Sequence, residues 1–384
     1  SALYGTFTAD CFSGSVLSMS LDINNLTSQR PIHGGTLHRA VNKFGGKLGN
    51  WIDLSTGISP NSWPVPHVPE QVWQRLPDND DGLVTQAASY YGCKVSEILP
   101  ISGSQFAIEK IPQLLATSDV AVPVWGYAEH SFRWQLAGHR VHWYENGHQL
   151  AQMVRSEVVN AAVVINPNNP TTETFNKSEL LNIAGLLAKR GGQLVVDEAF
   201  VDSCSEYSLC TALAGQSCPQ GLIILRSVGK FFGLAGIRLG FVISDSSFIH
   251  RLESQMSPWA VNHIARWLGL NALADHDWHV TQCKTLSDDS ESFLQQLKIV
   301  LPDFAWQRSD CFVTAFASRA KCENLYRQLG EAAVLVRLLF SARDALSNNK
   351  KDGAAVRFGL PTNSQQLELM DRIKSSVRKP ICSD

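Results

Sequence analysis

A lysine set among glycine and apolar residues is the strongest chemical signal in this chain. Lys230 stands in Arg226-Ser227-Val228-Gly229-Lys230-Phe231-Phe232-Gly233, continued by Leu234-Ala235-Gly236-Ile237-Arg238-Leu239-Gly240. An ammonium in such a setting is poorly hydrated, so its pKa falls and the neutral, nucleophilic amine becomes available. Ser227, before the lysine, and Arg238, after it, are spaced to converge on one phosphate. A lysine in an exposed turn would sit among polar neighbours, which this segment lacks.

Three more constellations follow the same logic. Ser102-Gly103-Ser104-Gln105 precedes a predicted helix over 106–116. A Gly/Ser turn opening a helix offers free backbone N–H groups and the positive end of a dipole, a seat for phosphate. Read alone, it serves equally as a plain serine N-cap. Asn166-Pro167-Asn168-Asn169-Pro170-Thr171 ends a predicted buried strand, and by itself would be an ordinary Pro/Asn turn. Val195-Val196-Asp197-Glu198-Ala199-Phe200 carries two acids at the carboxyl end of an apolar strand. Both are expected to point into the crevice where α/β folds bind ligands, the alternative being a strand-end carboxylate capping a helix.

The elements that must position these residues are readable from periodicity. Runs at 120–124, 161–165, 193–196, 222–225 and 240–243 are apolar on both parities, which predicts buried parallel strands. A helix is predicted over 176–190, with Asn176 as cap, Glu179 three residues on, and Gly191-Gly192 as stop. Strand–helix alternation over about 95–245 implies an α/β domain with a mostly parallel sheet. Beyond 255 the pattern changes to helices over 261–274 and 284–297, strands over 311–317, 333–339 and 354–359, a polar loop 347–353, and a helix over 364–378. The expected division is a flexible arm (1–30), an N-terminal segment with a large domain (31–255), and a smaller C-terminal α+β domain (256–384).

Composition removes several classes of function. The chain has 384 residues, 44% of them hydrophobic and 18% charged, enough apolar content for large cores and too much for wholesale disorder. Lys plus Arg number 33 against 35 Asp plus Glu, a net charge of -2 without the basic footprint that nucleic acid or an anionic membrane requires. No apolar run approaches the ~18 residues of a membrane span. The opening residues hold no Lys or Arg before Arg30, so no secretory leader is expected. Nine scattered cysteines without a Cys-x-x-Cys pair suit a reduced, cytoplasmic protein. The histidines, including His139-x-x-His142, have no metal-site context, and no metal is expected.

Taken in order, Ser-Gly-Ser-Gln, Asn-Pro-Asn-Asn-Pro-Thr, Asp-Glu-Ala-Phe and Ser-x-x-Lys…Gly-x-Arg-x-Gly resemble the fold type I pyridoxal-phosphate enzymes of the aminotransferase class I/II lineage. The resemblance covers roughly residues 30–378. Four stretches narrow it: Ile32-His33-Gly34-Gly35, Trp51-Ile52-Asp53-Leu54-Ser55-Thr56-Gly57-Ile58-Ser59-Pro60, Asp80-Asp81-Gly82-Leu83, and Ala355-Val356-Arg357-Phe358-Gly359-Leu360-Pro361. These are similar to the L-threonine O-3-phosphate decarboxylases of cobalamin biosynthesis.

The resemblance implies roles. Lys230 would hold pyridoxal phosphate as a Schiff base and shuttle protons, and Asp197 would pair with the ring N–H. Asn169 would donate to the phenolic oxygen and also face the substrate. Ser227, Arg238 and the turn at Gly103, Ser104 and Gln105 would cradle the cofactor phosphate. Tyr127 would stack on the ring, with Trp125 as the alternative. Arg357 would clamp the substrate carboxylate, His33 and Arg337 would meet the substrate phosphate, and the Thr56-Gly57 backbone would lie where the N-terminal segment covers the substrate. His33 could equally be a turn residue and Arg337 an exposed one. The chain departs from the family at Phe200, where many relatives carry Tyr, at Thr172 in place of Gly, at Asp81-Gly82 in place of a partner-subunit Tyr, and at Ser59 in place of Asn. The implied activity is decarboxylation of L-threonine O-3-phosphate by a homodimer; the alternative is an aminotransferase for a phosphorylated substrate, resembling histidinol-phosphate aminotransferase.

Overall fold

Thirteen strands are present among the described residues, which in this computed structural model are 30–342 and 353–377. Nearly all of the expected arm 1–30 and of the expected loop 347–353 lies outside them. The first strand, β1 (Ile52–Asp53), is short. Seven form the central sheet: β2 (Ile98–Ile101), β3 (Asp119–Pro123), β4 (Arg140–Tyr144), β5 (Ala161–Ile165), β6 (Gln193–Asp197), β7 (Leu222–Ser227) and β8 (Gly240–Ser244). The C-terminal part adds β9 (Ala305–Ser309), β10 (Phe312–Ser318), β11 (Val334–Leu335), β12 (Arg337–Phe340) and β13 (Gly353–Gly359).

The central sheet runs in the order β2-β8-β7-β6-β5-β3-β4. Its middle strands are buried on both parities because helices cover both faces, as the continuous apolar runs require. One predicted strand differs in direction. Gly240–Ser244 is antiparallel to both β7 and β2. The β7–β8 connection contains only a short 3-10 turn, Ala235–Ile237, and lacks the crossover helix that a parallel return needs. Lys230 and Arg238 both lie in that connection.

The chain leaves β3 for the edge strand β4 and then returns to the other side of β3 as β5. This reversal opens a crevice at the carboxyl ends of the strands. The Trp125–Tyr127 stretch, the Asn-Pro turn, Asp197 and Lys230 all leave their strands on that side.

The edge strands β4 and β9 carry Arg, His and Gln among their apolar residues, and so lack the continuous apolar run by which the inner strands were predicted. The run predicted over 333–339 divides between two sheets. β11 pairs in parallel with β1, and β12 pairs antiparallel with β13, so the strand changes partner at Val336. The predicted helix 176–190 is Lys177–Ala188, with the Asn176 side chain accepting from Ser178 N. The predicted helix 284–297 extends to His276–Val300, capped by Asp275.

One face of the central sheet packs Val163, Val195 and Ile223 against Ile108 and Ile111 of the helix Ser104–Leu114. The other face packs on Leu180, Ile183 and Leu187, and its core continues into Phe312 and Phe358 of the C-terminal sheet. That continuity seats β13, and with it Arg357, against the mouth of the crevice. Among the described residues no helix is long and apolar enough to cross a membrane.

Candidate active site

Lys230 stands at the start of the β7–β8 connection. Its carbonyl accepts from Ser59 N (3.0 Å) and Gly233 N (3.2 Å), so its backbone is held on two sides. Its Nζ lies 5.3 Å from the centre of the Phe200 ring, and among the described residues no carboxylate is paired to it. Burial, then the Arg357 cation, push the amine down to about 8. A lysine so placed is a nucleophile near neutral pH.

The two acids ending β6 separate completely. Asp197 is buried, and its Oδ2 accepts from His130 Nε2 at 2.9 Å while Oδ1 accepts from Ala199 N at 3.1 Å. Glu198 does not face the crevice, contrary to expectation. It accepts from Arg226 (2.7 Å), Ser208 Oγ (2.6 Å) and Leu209 N (2.7 Å), capping the short helix Leu209–Ala212 and neutralising a buried guanidinium. Adjacent residues at a strand end face opposite ways, so only one of the pair can enter the crevice.

The phosphate cradle is read from close approaches. Gly103 has φ +78°, and a Cβ there would lie 2.7 Å from Arg238 Nη2. A Cβ on Gly240, the cross-strand partner of Ser227, would lie 2.8 Å from Ser104 N. Ser227 Oγ accepts from Gly229 N (3.2 Å). Gly103, Ser104 and Arg238 thus meet at the N-terminus of the helix Ser104–Leu114, with Ser227 across the strand pair from Gly240, which touches the same turn. The Gln105 side chain accepts from Tyr127 Oη (3.1 Å) and donates to Glu129 (2.9 Å), which leaves its backbone to the turn.

Two aromatic residues were candidates for the ring wall. Tyr127 lies edge-on to His130, 6.2 Å between centroids, and burial, then Glu129 and Asp197, raise its phenol so that it stays protonated. Trp125 packs instead against Phe316 of the C-terminal sheet. The structure therefore brings Tyr127, not Trp125, to the Asp197–His130 pair.

The Arg357 guanidinium is buried on the face of Phe312, 5.4 Å from its centroid. It donates to Asn169 Oδ1 (2.7 Å), Ser55 O (2.6 Å) and Thr56 O (3.2 Å), and its Nε has no partner among the described residues. All three acceptors are neutral. Gly57, with φ +64°, lets the chain pass close by: a Cβ there would be 3.6 Å from Arg357 Cζ. Arg337 is the direct cross-strand partner of Arg357, so both side chains leave the same face of the sheet. Burial, then Arg337, push Arg357 down to about 9, which leaves it cationic at neutral pH. Arg337 donates to the Ile32 carbonyl. His33 donates to Glu129 (2.8 Å) and its ring lies 5.6 Å from that of Tyr127.

Two residues at this site were not singled out from sequence. Glu129 and His130 directly follow Tyr127 and Ala128, but the partners that tie them to the site, Asp197, His33 and Gln105, are far away in the chain. Asp81, standing where a partner-subunit tyrosine was missing, forms a bidentate pair with Arg266 (2.7 Å each) and receives Leu83 N. Ser59 Oγ donates to Asn61 O and accepts from Gln282. Thr172 adopts φ +57°, the left-handed conformation that a glycine would take without strain. His139 accepts from Ser118 N and donates to the Pro112 carbonyl, a structural pairing.

These residues fit pyridoxal phosphate. The close approach at Gly103 leaves room that suits a phosphate and no Cβ, Asp197 is a buried carboxylate of the kind that would meet a ring N–H, and Lys230 is a buried amine that would hold the aldehyde. The family described as aminotransferase class I and II matches residues 69–347. The chain is 36% identical over 351 residues to a threonine-phosphate decarboxylase of Pseudomonas aeruginosa, covering 91% of this chain and 98% of that one. It is 39% identical over 236 residues to a protein of the same name from a Sinorhizobium species, covering 60% and 68%. Among solved structures, histidinol-phosphate aminotransferase from Sinorhizobium meliloti in complex with pyridoxal-5'-phosphate superposes with a TM-score of 0.76 at 18% identity, covering 95% and 98%. L-threonine-O-3-phosphate decarboxylase from Porphyromonas gingivalis gives 0.66 at 19% identity, covering 85% and 99%. The chain belongs to the class I and II aminotransferase family and is a fold type I, pyridoxal-phosphate-dependent enzyme.

Proposed function

We propose that this enzyme decarboxylates L-threonine O-3-phosphate, releasing carbon dioxide and (R)-1-amino-2-propanol O-2-phosphate, as a cytoplasmic homodimer in cobalamin biosynthesis. The observation that carries the reading is the pair Arg337 and Arg357. Two guanidiniums at directly opposed cross-strand positions repel each other, and neither is paired with a carboxylate among the described residues. Such a pair is stabilised by a ligand with two anionic groups, and a phosphorylated amino acid brings a carboxylate and a phosphate. The relatives named threonine-phosphate decarboxylase support the same substrate.

Roles follow from position. Gly103, Ser104, Ser227 and Arg238 hold the cofactor phosphate, Asp197 holds the ring nitrogen with His130 behind it, Asn169 holds the phenolic oxygen, and Tyr127 covers the ring. Gln105 belongs to the same phosphate-binding turn by its backbone, while its side chain bonds to Tyr127. When bound, pyridoxal phosphate supplies the electron sink for the bond broken at the substrate α-carbon. Arg357 holds the substrate carboxylate in a bidentate grip. Arg337, His33 and the Gly57 backbone hold the substrate phosphate. Anchorage at both ends fixes the rotation of the substrate, so that the carboxylate bond and not the hydrogen stands in the orientation that breaks. Lys230 Nζ then delivers a proton to the α-carbon that carbon dioxide has left. We read residues 31–255 and 256–384 as the large and small domains between which the substrate lies.

The test is a single assay on the purified, pyridoxal-phosphate-loaded enzyme. Release of carbon dioxide from L-threonine O-3-phosphate is expected, with no conversion of the cofactor to its pyridoxamine form by glutamate. Conversion by glutamate without carbon dioxide release would make the enzyme an aminotransferase and end this reading.

A further inference from the structure

Glu129, the first residue of the helix Glu129–Leu136, is a buried carboxylate that takes hydrogen bonds from three separate parts of the chain. Its Oε1 receives His33 Nε2 at 2.8 Å. Its Oε2 receives both Gln105 Nε2 at 2.9 Å and Arg133 Nε at 2.9 Å. Arg133 is itself steadied by Glu109 (2.8 Å). Burial alone would raise this carboxyl, but the bonds from His33, Arg133 and Gln105 outweigh it and hold it at about 2. Glu129 is therefore ionised at every working pH, and each of its oxygens acts as an acceptor.

The division of labour between the two oxygens is informative. Oε2 ties together the wall of the cofactor site, since Gln105 also accepts from Tyr127. Among the described residues, Oε1 serves His33 alone. The preceding residue, Ile32, is fastened by its carbonyl to Arg337 on the C-terminal sheet. Two successive residues of the same short segment are thus held to opposite banks of the crevice, one by Glu129 and one by Arg337. The imidazole between them is 42% exposed, open to the mouth of the site.

We propose that Glu129 is a positioning residue for substrate-phosphate recognition: it seats the His33 imidazole, and with it the segment of Ile32 and His33, beside Arg337, where the substrate phosphate binds. This rests on the reading of the substrate as a phosphorylated amino acid. Glu129 touches neither cofactor nor substrate, and acts through His33.

Glu129→Gln severs the two sides unequally. A carboxamide has one acceptor oxygen, and facing it to the two donors Gln105 and Arg133 turns its NH2 toward His33, so the cofactor wall is kept while His33 Nε2 must give up its proton and accept, which replaces the charge-assisted bond by a neutral one. With L-threonine O-3-phosphate, Glu129→Gln and His33→Ala are each expected to raise KM about tenfold, with kcat within about twofold, the loss of one charge-assisted hydrogen bond. Cofactor absorbance and melting temperature stay at the wild-type values. The double variant is expected to be no worse than His33→Ala alone. An unchanged KM in Glu129→Gln, a double variant whose KM is the product of the single effects, or a loss confined to kcat would overturn the proposal. If Glu129→Gln does not fold, His33→Phe, which keeps the ring contact with Tyr127 and lacks the donor, must give the same tenfold rise, and an unchanged KM there refutes it. If the wild-type enzyme releases no carbon dioxide, the substrate reading fails by itself. The seat is then judged by calorimetric titration with inorganic phosphate, which the wild type must bind about tenfold more tightly than Glu129→Gln.

Discussion

The amine of Lys230 is expected to titrate far below an ordinary lysine before any cofactor is bound, and the environment states how far and why. Its pKa falls from 10.5 to about 8, first through burial and then through the Arg357 cation, while Asp197 acts in the opposite sense. At pH 7 roughly a tenth of the amine is then neutral, about 300-fold more than for an unperturbed lysine. Competitive labelling of the cofactor-free enzyme with acetic anhydride, with Lys230 quantified by peptide mass spectrometry, reads this directly. Labelling should fall about tenfold per pH unit below a midpoint near 8 and level off above it. Arg357→Gln removes a cation, which favours the protonated amine, so the midpoint should rise by about half a unit to one unit. Asp197→Asn removes an anion and should lower it by a comparable or smaller amount. A wild-type midpoint above 10, or two variants that move it in the same direction, would refute both the burial and the charge assignment.

Three further outcomes follow from single contacts. Gly103→Ala places a methyl 2.7 Å from Arg238 Nη2 at a residue with φ +78°; pyridoxal phosphate affinity, measured by fluorescence titration, should weaken at least about tenfold, with roughly 1–2 kcal/mol of fold stability lost. Asp197→Asn keeps the shape that His130 contacts but removes the charge held for the ring nitrogen. Turnover should drop about 10²- to 10⁴-fold with the cofactor still bound. Arg226→Met leaves Glu198 and Asp202 buried without their shared cation at 2.7 and 2.6 Å, and urea denaturation of the cofactor-free enzyme should show a loss of roughly 3–5 kcal/mol.

Much of the scaffold was legible because its signals are local. The runs ending at Ile165, Asp197 and Ser227 are strands within a residue or two of their expected limits, since burial on both faces demands apolar residues at every position. The direction of β8 was not legible, because it depends on what the β7–β8 connection can span. Nor were the edge strands, whose polar residues hide the pattern.

The candidate site divides along the same line. The sequence alone determined that Lys230 sits in an apolar, Gly-flanked loop, that a Gly/Ser turn opens a helix, and that acids and Asn-Pro turns lie at strand ends. Each is a property of neighbouring residues. Tertiary structure decided that Asp197 enters the crevice while Glu198 turns to Arg226, that Tyr127 and not Trp125 stands by His130, and that Arg337 and Arg357 share one face. It also decided that Glu129 gathers His33, Gln105 and Arg133. Apart from the local pairs Tyr127–His130 and Glu129–Arg133, these pairings join residues from 20 to more than 90 positions apart. They are set by strand register and by which face of each element is buried, and neither is written in the spacing of residues along the chain.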